Sequence, residues 1–175
     1  MSIGDSIEMV LSGFSSISLE QLQQAELMRR KDAKYLYSVL HIPGILRLLE
    51  KEYRVLEVDG KRAQNYQTFY YDTLDLDMYY MHHRGMVNRN KIRFRKYVSS
   101  DAVFLEVKKK NSKGVTIKNR KQTDSADAVI LSKEEEFLTY YTPYENDKIL
   151  PVLENSFKRI TLVGPDHSER ITIDY

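Results

Sequence analysis

Apolar and polar residues alternate with period two along several stretches of the chain, as they do in strands with one face buried. In Lys91–Tyr97, Lys91, Arg93 and Arg95 share one face, and Ile92 and Phe94 the other. In Phe104–Lys108, Glu106 and Lys108 oppose Leu105 and Val107. Strands are predicted near 90–98, 102–110 and 115–121, with Ser99-Ser100-Asp101 and Asn111-Ser112-Lys113-Gly114 as their turns. Two more are predicted near 152–163 and 169–175, joined across Gly164-Pro165-Asp166. Segments 54–58 and 65–71 read as a hairpin around Asp59-Gly60. Residues 28–37 also alternate, Arg30, Asp32 and Lys34 against Ala33 and Tyr35, and predict a strand.

Helices are signalled by their ends. Ser18 with Gln21 forms a capping-box pattern, and Ile17 with Leu22 a hydrophobic staple, for a helix over about 19–25. Pro43 suits a first helical turn, followed by Ile45, Leu46, Leu48 and Leu49 as an apolar stripe to about Tyr53. Asp72 and Thr73 are caps for a helix over 74–83. Ser132 and Glu135 form a second capping box for a helix to about Tyr141. Residues 1–17, rich in Ser and Gly, read as a loose N-terminal segment, and 18–175 as one domain. Many strands, short turns and interspersed helices give an antiparallel α+β fold.

The parity of the strands carries the functional argument. Arg93, Arg95, Glu106, Lys108, Lys118, Arg120, Arg159, Arg170 and Asp174 can all point one way, and Ile92, Phe94, Leu105, Val107, Ile117, Ile171 and Ile173 the other. A half-exposed sheet with a solvated charged face is the plain reading. Yet Arg and Lys recur at aligned places on five candidate strands, and the helices need the apolar face to pack on. The cations would then line a barrel interior or groove, which self-repulsion disfavours unless anions occupy it.

Composition sharpens this. The net charge is only +2, but residues 84–121 hold thirteen Lys or Arg against Asp101 and Glu106, a local +11. The chain has no cysteine, which excludes disulfides and thiolate zinc sites. It has no apolar run near the roughly 20 residues of a membrane span and no secretory signal pattern, so a cytoplasmic protein without a membrane segment is expected. His82 and His83 are adjacent and lack a third ligand nearby, which favours a surface role over a metal site. In Lys108-Lys109-Lys110 only Lys108 has the inward argument.

These residues resemble the VTC-domain polyphosphate polymerases of the triphosphate tunnel superfamily. The likeness runs from about residue 18 to the end. It is carried by 27–35 (LMRRKDAKY), Phe69-Tyr70-Tyr71-Asp72-Thr73, Asp77-Met78-Tyr79-Tyr80, 91–97 (KIRFRKY), 104–108 (FLEVK) and 170–174 (RITID). It implies an antiparallel β tunnel or barrel, complete or not, with helices outside. It also implies transfer of the γ-phosphoryl of ATP or another nucleoside triphosphate to a polyphosphate end, aided by Mn²⁺ or Mg²⁺. Carried over residue by residue, Lys34, Arg93, Arg95, Lys108, Lys118, Arg159 and Arg170 match the phosphate-binding cations. Arg93, Arg95 and Lys108 are the central catalytic set, and Phe157 flanks the tunnel.

Glu106, Asp174 and Asp32 are the acids at inward parity and candidate metal ligands; each could instead pair with a neighbouring cation. The segment Arg30-Lys31-Asp32-Ala33-Lys34 keeps one acid and the Lys of the Glu-x-Glu-x-Lys triplet of tunnel hydrolases, which argues against that branch. Complete family domains continue with strands supplying a metal-binding Glu and a further Lys. The stop at Tyr175 therefore leads to the expectation of a fragment, or of an open tunnel with impaired catalysis.

Three functions follow: a nucleotide-dependent polyphosphate polymerase, a polyphosphate- or triphosphate-binding module without turnover, and an RNA-binding sheet. A triphosphate hydrolase of the same superfamily is a further alternative. The third needs aromatics and cations on one face. Most aromatics are expected opposite the cations, with Tyr97 on the cationic side, so no nucleic-acid partner is expected. The oligomeric state is left open.

Overall fold

The computed structural model describes residues 2–24, 32–124, 134–145, 148–167 and 169–175. The fold is mixed α+β; β1 and β2 pair parallel, and the pairs β2–β7, β3–β4, β4–β5, β5–β6 and β7–β8 are antiparallel. The chain forms two compact units. One holds residues 1–65 and 157–175, the other 66–156.

The first unit begins with helix α1 (Ile3–Leu11). The Ser2 hydroxyl accepts from the Asp5 amide and the Asp5 carboxylate from the Ser2 amide, a capping box with Asp in the usual Glu position. Ile7, Val10 and Leu11, at helical spacing, are buried. The expectation of a loose N-terminal segment is therefore corrected. Ser and Gly mark its ends, while its middle carries an amphipathic helix.

Strand β1 (Ser16–Ile17) leads into α2 (Leu19–Gln24), whose Ser18–Gln21 capping box forms as predicted. Helix α3 (Ile42–Leu49) starts with Pro43 in its first turn. It buries Ile42 and Leu46 but leaves Leu48 exposed. Strands β2 (Arg54–Leu56), the end of β7 (Ile149–Val163) and β8 (Arg170–Asp174) pair beside it. Ile7, Leu11, Phe14, Leu46, Val55, Ile160, Leu162 and Ile173 form the core, so α1 and α3 cover the apolar face of these strands.

Asp59 and Gly60 form the predicted tight turn, with left-handed φ values of 52° and 71° and reciprocal backbone hydrogen bonds between Val58 and Lys61. The strands on either side do not continue as a hairpin, because β2 pairs with β1 and β7 instead. The strand predicted over 28–37 is not present in 32–37, which is exposed and irregular; 28–31 lie outside the described residues.

The second unit contains most of β3 (Ala63–Thr73), α4 (Asp77–His83), β4 (Arg89–Tyr97), β5 (Ala102–Lys110), β6 (Thr116–Thr123), α5 (Glu135–Tyr141) and the beginning of β7. Its strand order is β7-β3-β4-β5-β6, and among the described residues no strand pairs with the far edge of β6. Ile92, Phe94, Leu105 and Val107 are almost fully buried against Met78 of α4 and Leu138 of α5. Helices cover the apolar face, as the parity argument requires. Helix α4 starts at Asp77, three residues later than predicted and with Leu76 in the cap position, and Asp72 holds its first turn from farther upstream. The buried Asp72 carboxylate accepts the amides of Thr73, Met78 and Tyr79 at 2.8–2.9 Å. Ser132 of the second predicted capping box lies outside the described residues. The helix it was to open runs over 135–141, with no side-chain cap on Glu134.

Candidate functional site

The opposite face of β4, β5 and β6 is built from three registered rows. Lys91, Lys108 and Lys118 lie side by side, then Arg93, Glu106 and Arg120, then Arg95, Phe104 and Gln122. The period of two puts every member of these rows on the side away from α4 and α5. Arg93 and Arg95 are buried, 7% and 8% exposed, although each carries a fixed charge.

Glu106 holds the centre. Its carboxylate is fully buried and meets Arg93 Nη2 at 2.5 Å and Nε at 2.7 Å, and Lys118 Nζ at 2.5 Å. Burial pushes the Glu106 carboxyl up, but the Lys118 hydrogen bond and the charges of Arg93 and Lys118 outweigh it, so it stays below its ordinary value. One carboxylate thus serves two cations, and Lys108 has no such share. Burial first, then the charges of Arg93 and Lys118, lower its ammonium pKa from 10.5 to about 8, with Glu106 opposing and Arg95 adding. Arg93, Lys108 and Lys118 thus set three positive charges around the one negative charge of Glu106.

Aromatic rings flank three of the cations. Arg95 lies over Tyr66 at 5.2 Å, Lys91 over Tyr70 at 4.3 Å and Arg120 over Phe104 at 5.0 Å. Tyr66, Tyr97 and Phe104 meet edge to face at 5.0 and 5.6 Å. Tyr71, Phe94, Phe69, Phe137, Tyr141 and Tyr144 pack in the apolar cluster opposite the cations. Tyr66, Tyr70, Tyr97 and Phe104 share the cationic face. The β3–β4 register, which sets Tyr70 beside Arg93 and Tyr66 beside Tyr97, places the first two there, and sequence spacing alone does not reveal register.

Arg93, Arg95, Lys108 and Lys118 are brought together. The other expected cations belong to the first unit. Arg159 makes a bidentate pair with Asp174 at 2.6 Å and lies over Phe157 at 5.4 Å. Arg170 pairs in register with Val163 on β8, and Lys34 is exposed on the irregular segment. Of the candidate metal ligands, Asp174 is committed to Arg159 and Glu106 to Arg93 and Lys118, while Asp32 is exposed. Among the described residues no group of three or more His, Cys, Asp or Glu could hold a metal ion. These residues do not fit a resident Mn²⁺ or Mg²⁺.

Among the described residues no helix is long and apolar enough to cross a membrane. No curated protein sequence matches the chain. Among solved structures, a candidate adenylate cyclase of Vibrio parahaemolyticus is similar at 12% identity and a TM-score of 0.46. The similarity covers 74% of this chain and 60% of that one, so the chain spans about three-fifths of that protein's length. The family comparison is more extensive. The VTC domain matches residues 29–175, which include every strand of the cationic face. The chain belongs to the VTC domain family.

Proposed function

We propose that the cationic face of β4, β5 and β6 binds the phosphates of a nucleoside triphosphate and of a polyphosphate chain, and that the domain transfers the γ-phosphoryl to the polyphosphate end. The observation that carries this is the gathering of three cations, buried Arg93, half-buried Lys108 and Lys118, around the single buried carboxylate of Glu106, with burial and then the charges of Arg93 and Lys118 lowering the Lys108 pKa to about 8. A fold gains nothing by burying unneutralised charge, whereas a polyanion site requires it.

Phosphoryl transfer asks little covalent chemistry of the protein. A terminal phosphate oxygen of the acceptor attacks the γ-phosphorus, the bond to the β-phosphate oxygen breaks, and the nucleoside diphosphate leaves. Arg93 and Arg95 present planar guanidiniums for bidentate contact with phosphate oxygens. Lys108 and Lys118 act as point charges beside them. Preorganised cations lower the barrier by meeting charge as it develops on the transferring oxygens. Glu106 is a positioning residue that holds Arg93 and Lys118 in place before substrate arrives. A divalent ion would enter with the nucleotide as part of the substrate.

The test uses the purified protein with ATP and Mn²⁺ or Mg²⁺, following formation of long-chain polyphosphate and, separately, binding of tripolyphosphate. Binding with product supports the transferase. Binding without product reduces the protein to a capture module. The Arg95→Ala/Lys108→Ala variant, which leaves the Glu106 ion pairs intact, is expected to lose binding by about a hundred-fold; unchanged affinity would remove this face from the site.

A further inference from the structure

The three rows do not end the basic face. On the same parity, Arg89 pairs with Lys110 as a fourth row next to Lys91, Lys108 and Lys118. Arg89 is fixed by donating from Nη1 to the Met86 carbonyl at 2.7 Å, and Lys91 by the Tyr70 ring. No carboxylate is engaged by this row: Arg89, Lys91 and Lys110 have no acidic partner among the ion pairs of the described residues. From Arg95 to Arg89 the strand advances six residues, about 20 Å at ~3.4 Å each. A triphosphate is too short to touch all four rows.

Resting on the phosphate-binding reading above, we infer that Arg89, Lys91 and Lys110 form an outer subsite that engages phosphates of chains longer than three, continuous with the inner cluster of Arg93, Arg95, Lys108 and Lys118. The inner cluster then takes the reacting triphosphate, and Arg89, Lys91 and Lys110 hold the body of an extended inorganic polyanion. Exposure of Lys91, in contrast to the burial of Arg93 and Arg95, suits a stretch of chain that must slide rather than be clamped.

The experiment compares tripolyphosphate with long-chain polyphosphate on three proteins: the native chain, Arg89→Ala/Lys110→Ala, and Lys96→Ala/Lys109→Ala, which removes the same charge from the opposite parity. The outer variant is expected to bind long chains about thirty-fold more weakly and tripolyphosphate within about two-fold of native. The control variant is expected to retain both affinities, because a long-range field would weaken both variants alike. Equal affinity of the outer variant and the native chain for long polyphosphate overturns the subsite. So does an equal loss for both ligands, or an equal loss in the control. A native chain that binds neither ligand overturns the phosphate reading itself, an outcome seen before any variant is made.

Discussion

At the scale of one residue, Lys108 carries a charge that the fold disfavours and that the proposed phosphate site would use. Its pKa falls from 10.5 when unfolded to about 8 in the fold, so below pH 8 the charge is present in both states and its full cost falls on the fold. Stability contributed at this position should rise between about pH 8 and 10.5, and thermal melts across that range check the sign. Lys108→Met is expected to stabilise the protein by about 1 kcal/mol, a shift of a few degrees, after allowing for the half-exposed side chain. The same variant should bind tripolyphosphate more weakly. A substitution that raises Tm and lowers affinity together is the mark of a charge kept for its ligand. A bound anion restores the proton to Lys108. Native affinity should therefore fall as pH rises through about 8, with proton uptake measurable by calorimetry in buffers of different ionisation enthalpy. Glu106 behaves in the opposite sense. Its contribution is present above its unfolded pKa of 4.5 and is lost as pH falls through the lowered folded value. Sequence parity identified Arg93, Arg95, Lys108, Lys118 and Glu106 as neighbours on one face. It did not show that Glu106 takes both Arg93 and Lys118, because Lys118 sits beside Lys108 in register and reaches Glu106 only diagonally.

At the scale of elements, α4 is held at its start by Asp72, with Thr73 Oγ1 accepting the Asp77 amide beside it. Asp72 satisfies the amides of Thr73, Met78 and Tyr79 from a buried position. Asp72→Ala leaves buried donors unpaired and is expected to cost about 2–4 kcal/mol by thermal or urea melts, with Asp72→Asn recovering part of it. This cap was legible because Asp and Thr precede an apolar, Met- and Tyr-rich run. Helix α1 was not legible by the same route. Its cap uses Asp5 where Glu or Gln is the familiar partner, and its short apolar face is lost among flanking Ser and Gly. Leu11→Ala, at a fully buried position, is expected to destabilise the first unit by about 3 kcal/mol. The alternation over 28–37 misled in the other direction. Alternation marks a strand only where a partner accepts its backbone and a core takes one face, and residues 32–37 are exposed.

For the whole molecule, a net charge of +2 conceals a local +11 between residues 84 and 121. Affinity for tripolyphosphate should therefore drop steeply between about 0.05 and 0.5 M salt, over which the screening length shrinks several-fold; a flat dependence would contradict a charge-built site. The sequence by itself determined the α+β class, the positions of β4 and β5, the turns between them, and the sidedness of cations and apolar residues. All of these follow from short-range rules: period two, capping residues and turn chemistry. Tertiary structure alone decided which strands are neighbours, and hence that β2 leaves its apparent hairpin partner for β1 and β7. It decided too that Tyr66, Tyr70 and Phe104 lie against Lys91, Arg95 and Arg120, and that Glu106 is shared while Lys108 is not. Strand partners and register are set by the sum of many weak contacts between residues distant in the chain. No local pattern contains that sum.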